Sequence, residues 1–266
     1  MMRESRSLSD WRIEECRREA RKVLDRFHVE NQEAIDLETF AWHLGKLKVK
    51  VGGLSGAEGR IVASPRGGVI RVRPNLNMGR RRFTIAHEIG HFVLHQRNVV
   101  DKTAQRKDFT VWTKATEEAE ANHFAAELLM PEHLFAPSCR GEPNIRRLRE
   151  LADAFSTSLL ATSFQYWQYA REPVALVLSN GWTMQCFRPF KEGGLRIQFG
   201  EIHRDSAAGA RLAGGMPDSG RMVRTPAYAW LEGFDDKPGK EIMEDSFYLD
   251  YYDRTITLLW VDDVLY

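Results

Sequence analysis

The stretch that decides the fold is 82-RFTIAHEIGHFVLH-95, where apolar residues recur at helical spacing and leave hardly any polar face except the histidines and Glu88. This pattern is typical of a helix that is largely buried. His87 and His91 are four residues apart, so both imidazoles lie on one face of that helix and can reach a single metal ion. The stretch therefore predicts a buried helix that carries part of a metal site.

The His-Glu-x-x-His pattern has a chemical purpose when zinc is bound. Zinc lowers the pKa of its bound water to about 7, and Glu88 is placed to take a proton from that water. The resulting hydroxide can attack a carbonyl group, so the expected reaction is hydrolysis of an amide bond. Chance alone produces the pattern in many proteins, usually on an exposed helix. Because a buried, unpaired Glu88 would be costly, the apolar context favours a functional site.

A catalytic zinc needs a third protein ligand in addition to His87 and His91. The sequence offers Glu117, Glu118, Glu120, His95, His123 and His133 as candidates. We favour Glu118, because it shares a helical face with Asn122, whose amide can hydrogen-bond a ligand and support it. His95 continues the face of His87 and His91, but three ligands from one straight helix cannot easily surround one ion. We therefore expect His95 to support a ligand or to belong to the core.

Helical patterns occur on both sides of this stretch, and short strand-like runs precede it. The predicted helices cover residues 9–27, 36–45, 80–98, 116–129, 144–155 and 158–170. The predicted strands of this part cover 48–51, 60–63 and 69–72. The last two strands are expected to form a hairpin across Pro65-Arg66-Gly67-Gly68, and strand 69–72 is expected to offer its edge to an extended substrate.

The composition changes near Arg171, after which strand-like runs dominate. They cover 174–179, 182–187, 195–200, 246–252 and 255–261, with a turn at Asp253-Arg254 between the last two. Residues 205–220 are rich in glycine, alanine and serine and are expected to form a mobile loop. We predict an α+β fold, with a mostly helical domain at 1–171 that contains a small sheet and a β-rich accessory domain at 172–266.

The chain has 266 residues, 43% of them hydrophobic and 28% charged, which is enough for a sizeable core and excludes a disordered chain. Its formal net charge of +1 gives no global attraction to nucleic acid or to an anionic membrane. Three cysteines argue against a disulfide framework and for a reducing compartment. No apolar run reaches the roughly 18 residues that a membrane span needs. We therefore expect a cytoplasmic protein with no membrane partner.

Two motifs together resemble the ImmA/IrrE metallopeptidases. They are RFTIAHEIGHFVLH at 82–95 and EAEANHFAAELLMP at 118–131, and their order and separation also match those of the family. The resemblance covers residues 11–170. It implies a zincin-like, gluzincin-like metallopeptidase domain within the predicted first domain.

The resemblance also implies roles for individual residues and a substrate class. His87, His91 and Glu118 would bind Zn²⁺, and Glu88 would be the catalytic glutamate. Members of the family act in bacteria, phages and mobile elements, where several cleave a helix-turn-helix repressor. The implied function is that of a zinc endopeptidase whose protein partner is such a repressor, cleaved to release stress-response or mobile-element genes.

Two alternatives stay open. The segment 144–170 has the sequence pattern of a helix-turn-helix, which would make the protein a DNA-binding regulator. Ser156 replaces the usual glycine of the turn and no lysine or arginine follows it up to Ala170, which argues against direct DNA binding. The aromatic residues of this segment are instead expected to pack against the β-rich part: Phe164, Tyr166, Trp167 and Tyr169. The other alternative is a non-catalytic, metal-bound interaction protein, although a structural zinc has no use for Glu88.

Overall fold

A computed structural model of the chain describes residues 8–95, 102–105, 116–191, 193–214, 221–237 and 239–261. The chain forms two compact units. The first consists of Met1–Phe135 with Ala152–Thr162, and the second of Ala136–Leu151 with Ser163–Tyr266. After residue 135 the chain passes into the second unit, returns to the first for residues 152–162 and then stays in the second. The domain boundary at residue 171 stays a prediction.

The first unit begins with two helices that confirm the amphipathic patterns. Helix α1 (Asp10–Arg26) buries an apolar stripe that includes Cys16, Ala20, Val23 and Leu24. Helix α2 (Leu37–Gly45) begins where the side chain of Asp36 accepts a hydrogen bond of 3.1 Å from the backbone N–H of Thr39. This bond satisfies one of the N–H groups that a helix start leaves unpaired.

Short strands form the sheet of the first unit, in the order β1-β3-β2-β4. They are β1 (Leu47–Val51), β2 (Ala57–Ser64), β3 (Gly67–Val72) and β4 (Lys102–Gln105). The predicted hairpin between β2 and β3 is confirmed. The expectation that strand 69–72 offers a free edge is wrong, because β3 pairs with β1 on one side and with β2 on the other. Its backbone groups are therefore already hydrogen-bonded.

The two motifs lie on helices α3 (Met78–Leu94) and α4 (Glu117–Leu129), which pack against each other. Each helix starts at a capping residue: Asn77 accepts a hydrogen bond from the first turn of α3, and Thr116 accepts one from the first turn of α4. Both helices confirm the sequence prediction. Residues 96–98, the predicted end of the first of them, lie outside the described residues.

Gly90 sets how closely α3 and α4 approach each other. A Cβ atom added at this position would lie 3.0 Å from the ring of Phe124 and 3.2 Å from Cα of Ala121. The Ala121 contact is to the backbone of α4, which cannot rotate away as a side chain can. The glycine within the His-Glu-x-x-His pattern therefore lets the two motif helices come into contact.

Helices α5 (Glu132–Phe135), α6 (Ile145–Ala154) and α7 (Leu159–Tyr169) follow, and the last two were predicted. Ser156, between α6 and α7, has a φ of 49°, a left-handed conformation that glycine usually supplies.

The aromatic part of α7 packs in the second unit, as expected. The indole N–H of Trp167 donates a 2.8 Å hydrogen bond to the carbonyl of Pro189. The guanidinium of Arg188 lies 5.3 Å from the centre of the Phe164 ring. These contacts join α7 to residues at and just beyond the end of the second strand of the β-rich part.

The second unit contains an antiparallel sheet with the strand order β6-β5-β9-β8-β7. Its strands are β5 (Val174–Asn180), β6 (Thr183–Arg188), β7 (Val223–Pro226), β8 (Glu241–Leu249) and β9 (Arg254–Trp260). One face covers a hydrophobic cluster around Trp230 and Ile242, both fully buried. The two units together confirm the predicted α+β fold class with a β-rich carboxy-terminal part.

The strand predicted at 195–200 is wrong. This segment forms a single isolated bridge, between Ile197 and Leu231. Two backbone hydrogen bonds surround the bridge, from Gln198 to Trp230 and from Glu232 to Arg196. Ile197 is buried while Phe199 is exposed. The apolar alternation therefore reflects one buried residue, Ile197, and not a strand.

The loop predicted at 205–220 is also wrong over its first part, which forms helix α8 (Ala207–Gly214). At the start of the helix, the Ser206 hydroxyl accepts a hydrogen bond from the backbone N–H of Gly209, and the carboxylate of Glu244 accepts hydrogen bonds from those of Ala207 and Ala208. Glu244 comes from a distant strand, which local composition could not reveal. Residues 215–220 lie outside the described residues.

Tyr251 and Tyr252, predicted within a strand, lie in the turn between β8 and β9. Asp253 in this turn has a φ of 55°, so the chain reverses over residues 250–253. None of the helices within the described ranges has both the length and the apolar character required for crossing a membrane.

Candidate metal centre

Three metal-ligating side chains meet at the contact between α3 and α4. His87 and His91 come from α3, and Glu118 comes from the first turn of α4. The Nε2 atoms of the two histidines are 3.1 Å apart. One carboxylate oxygen of Glu118 lies 3.2 Å from Nε2 of His87, and the other lies 3.1 Å from Nε2 of His91. The i,i+4 spacing thus brings both imidazoles to one point, and α4 adds the carboxylate.

The donor set and its dimensions fit a zinc ion. Zinc binds imidazole nitrogen at about 2.0–2.1 Å in tetrahedral sites, so neighbouring ligand atoms are separated by roughly 3.3 Å. The three measured separations among His87, His91 and Glu118 are 3.1, 3.2 and 3.1 Å. Two imidazoles and one carboxylate are also the donors of known catalytic zinc sites. These three residues can therefore hold a divalent metal through three ligand atoms and leave a fourth coordination position open.

The protonation of His91 and Glu118 suits metal binding, whereas that of His87 depends on Glu118. Burial lowers the pKa of His91 to about 4, so this imidazole is neutral at neutral pH. Burial also acts to lower the pKa of His87, but the hydrogen bond and negative charge of Glu118 outweigh it and raise that pKa. Burial acts to raise the pKa of Glu118, yet its hydrogen bonds with both histidines hold the pKa well below the usual range. Glu118 is therefore ionised, as a ligand must be.

Asn122 and His95 each contact one of the two histidines on the side away from the triad. The Nδ1 atom of His87 lies 2.9 Å from the side-chain oxygen of Asn122. An amide oxygen can only accept, so Nδ1 of His87 carries the proton and Nε2 is free for a metal. The Nδ1 atom of His91 lies 3.2 Å from Nδ1 of His95. Asn122 and His95 thus each contact one of the two candidate histidine ligands, and their supporting roles stay predictions.

Glu88 is fully buried, and neither of its carboxylate oxygens has a hydrogen-bond partner of standard geometry among the described residues. Burial raises its pKa to about 8. The charge of His87 and the nearby backbone N–H of Ile61 partly oppose this rise, whereas the charge of Glu118 adds to it. Strongly shifted, buried carboxylates of this kind cluster at functional sites.

Gly59 of β2 makes room for Glu88. A Cβ atom added to Gly59 would lie 2.5 Å from Oε1 of Glu88 and 2.5 Å from a methyl group of Thr84. Any larger residue would therefore displace the carboxylate. No local pattern in the sequence points to Gly59, because only the folded sheet brings this strand against α3.

The remaining candidates for the third ligand lie outside the triad. The carboxylate of Glu120 lies 2.8 Å from Nε2 of His95, and it also accepts a hydrogen bond of 2.5 Å from Arg12. Glu117, His123 and His133 contribute no donor atom to the group at Glu118. Arg12 was also missed, since it lies 75 positions before His87 in the sequence, on a helix whose pattern is that of an ordinary amphipathic helix.

The chain is similar to known proteins in this region and over its whole length. Residues 46–165 match the family Peptidase_M78, described as the IrrE N-terminal-like domain. A segment of 63 residues is 41% identical to "Uncharacterized immunity region protein 2" of Bacillus phage phi105 and covers 24% of this chain. The match spans only 38% of that phage protein.

A solved structure described as a Mycobacterium tuberculosis transcriptional regulator has a similar fold. The TM-score is 0.59 and the sequence identity is 16%. The similarity covers 97% of this chain and 90% of that one. At this level of identity the comparison shows a shared fold alone.

Proposed function

We propose that the chain is a zinc-dependent endopeptidase, because residues 46–165 match the IrrE N-terminal-like domain and the motifs at 82–95 and 118–131 resemble the same family. The observation that carries the proposal is the carboxylate of Glu88, which is fully buried and has no side-chain partner within the described part of the chain. A buried carboxylate without a charged or hydroxyl partner destabilises a fold. Its presence next to three converging metal ligands is best explained by chemistry at that place.

The proposed metal ligands are His87 and His91, each through Nε2, and the carboxylate of Glu118. Bound there, zinc would lower the pKa of a water molecule and polarise the carbonyl group of the scissile bond. Asn122 would keep the imidazole of His87 in the tautomer and orientation that metal binding requires, since such outer hydrogen bonds fix the ring of a ligand.

The proposed general base is Glu88. Its ionised carboxylate would accept a proton from the water, and the raised pKa of this buried group would let it hold that proton. The same carboxyl group can then donate the proton to the departing amine. Because Glu88 is fully buried, the proton would be held away from bulk solvent between the two steps.

The proposed substrate is a helix-turn-helix repressor in the cytoplasm, cleaved to release stress-response or mobile-element genes. The family resemblance supports this substrate class, and so does the similarity to a protein of a phage immunity region. The net charge of +1 is compatible with a protein partner and offers little attraction for DNA phosphates.

The test is to incubate the zinc-loaded, full-length chain with the helix-turn-helix regulator encoded beside its gene and to follow cleavage by mass spectrometry. We expect a defined cut that disappears when a chelator removes the metal and when Glu88→Gln replaces the wild type. No cut with the wild type would reject this substrate class. Equal activity of Glu88→Gln would reject the hydrolytic mechanism and favour a metal-bound interaction protein.

A further inference from the structure

A line of polar side chains connects the metal ligand His91 to the amino-terminal helix α1. From His91 the line runs to His95 at 3.2 Å, from His95 to Glu120 at 2.8 Å, and from Glu120 to Arg12 at 2.5 Å. His91 and His95 are buried, and the side chains of Glu120 and Arg12 are 14% and 25% exposed. The line therefore starts in the interior and ends at the partly exposed face of α1.

Each hydrogen bond in this line has one consistent direction once Nε2 of His91 is used for a metal. The other ring nitrogen of His91, Nδ1, then carries the proton and donates to Nδ1 of His95. His95 must accept at Nδ1, so its proton lies on Nε2, which donates to the carboxylate of Glu120. Glu120 can only accept, and it does so from His95 and from the guanidinium of Arg12.

Helix geometry explains how α4 serves the site in two ways. Glu118 and Glu120 are two residues apart, so their side chains leave α4 on different faces. Glu118 reaches the imidazoles of His87 and His91, whereas Glu120 reaches His95 and α1. Both lie in the first turns of α4, where the helix dipole stabilises negative charge.

We propose that Glu120 and Arg12 are positioning residues for the metal ligand His91, acting through His95. The inference rests on the proposed metal site and extends it. It makes α1 part of that site, although α1 precedes the segment 46–165 that matches the family. Carboxylates that hydrogen-bond the outer nitrogen of a histidine ligand raise its basicity and fix its ring, and their loss reduces metal affinity about 10- to 100-fold.

The alternative is that Arg12 and Glu120 form only a salt bridge between two helices. Such a bridge would contribute to the stability of the fold but would not change zinc affinity. The two roles are therefore separated by measuring the zinc dissociation constant and the melting temperature of the metal-free protein on the same variants.

The experiment uses the full chain with Arg12→Met, Glu120→Gln and the control Lys22→Met, which removes a cation from the same helix. Lys22 pairs with Glu19 at 2.7 Å on an exposed face. The probe is Zn²⁺ alone, measured by competition with a chromophoric chelator. Glu120 and Arg12 act on His91 through His95, so we expect Glu120→Gln and Arg12→Met each to raise the dissociation constant severalfold, less than the roughly 10- to 100-fold loss of a direct partner of a ligand, with Lys22→Met unchanged.

A double-variant comparison tests whether the residues act in one line. His95→Asn combined with Glu120→Gln should weaken zinc binding no more than the stronger single change, because both remove the same support. The ¹⁵N NMR spectrum of the zinc-loaded wild type gives a direct readout of which imidazole nitrogen carries the proton. It should show the proton of His91 on Nδ1 and the proton of His95 on Nε2.

Several results would overturn the inference. These are zinc affinities of Arg12→Met and Glu120→Gln within twofold of wild type, equal losses in Lys22→Met, independent losses in the double variant, or a proton on Nδ1 of His95. A wild-type chain that binds zinc but cleaves no protein would reject the proposed function and leave the positioning role standing. A wild type that binds no zinc would reject both.

Discussion

Gly59 decides where the carboxylate of Glu88 can lie. Glycine has no side chain, and the structure uses this space for Oε1 of Glu88 and for a methyl group of Thr84. The catalytic role proposed for Glu88 therefore depends on a residue of another element, 29 positions earlier in the sequence.

Gly59→Ala should abolish or strongly reduce cleavage while zinc affinity stays within a few fold of wild type. The new methyl group would push the Glu88 carboxylate out of its place, whereas His87, His91 and Glu118 would stay together. The measurement is cleavage rate and zinc dissociation constant on the same preparation. Gly53→Ala is the matched control, because nothing lies within 4 Å of a Cβ atom at that position. Wild-type activity in Gly59→Ala would contradict this account of Glu88.

At the residue scale, the sequence predicted the members of the site that lie within its two motifs. His87, His91 and Glu88 follow from a helical spacing, and Glu118 and Asn122 from the shared face of a second helix. Gly59 and Arg12 could not be predicted in this way. Their positions depend on the sheet and on the packing of α1 against α4, which no local pattern encodes.

At the scale of elements, the approach of α3 to α4 determines the distances in the candidate metal site. Two of the three candidate ligands come from one helix and the third from the other, so any separation of the helices would open the triad. Gly90 is the contact point, with Phe124 and the backbone of Ala121 directly opposite.

Gly90→Ala should lower the free energy of unfolding and weaken zinc binding together. Alanine favours a helix over glycine by up to about 1 kcal/mol, but overpacking against the backbone of α4 costs about 1–3 kcal/mol. We expect a net loss of about 1 kcal/mol in urea denaturation and a clear rise in the zinc dissociation constant. Gly214→Ala is the control, because a Cβ atom there meets nothing within 4 Å. A stabilised Gly90→Ala with unchanged zinc affinity would show that the close approach is unnecessary.

The elements that could be predicted are those whose signals are local. Helices α2, α3 and α4 have an apolar pattern together with a capping residue in the sequence, at Asp36, Asn77 and Thr116. The segment 195–200 and part of the start of helix α8 depend on partners far along the chain. Leu231 holds the segment by a single bridge, and Glu244 adds acceptors to the cap that Ser206 forms on the helix.

At the scale of the whole molecule, β8 organises the second unit through two consecutive acidic residues. Neighbouring residues of a strand point to opposite faces of the sheet. The carboxylate of Asp245 accepts a hydrogen bond of 2.8 Å from the backbone N–H of Ile145, at the start of α6. That of Glu244 accepts bonds of 2.9 and 2.6 Å at the start of α8 and one of 2.8 Å from the indole of Trp230. One strand thus supplies hydrogen-bond acceptors at the starts of two helices.

Glu244→Ala should lower the free energy of unfolding by about 3 kcal/mol or more. The change leaves several buried donors without an acceptor, and each such group costs about 1–3 kcal/mol. Glu241→Ala on the same strand is the control, because Glu241 is exposed and its distance to Arg224 is 3.9 Å. Its loss should be within about 0.5 kcal/mol. Equal stability of the two variants in urea would contradict the role of Glu244.

We propose above all that Glu88 performs proton transfer at a site where His87, His91 and Glu118 hold one zinc ion. The most direct test is the cleavage rate of zinc-loaded Glu88→Gln relative to wild type, at equal and measured zinc content. We expect one zinc per chain in both proteins and a cleavage rate for Glu88→Gln that is reduced by about 10²- to 10⁴-fold, the usual contribution of a general base. A Glu88→Gln protein that binds one zinc and cleaves at the wild-type rate would contradict it.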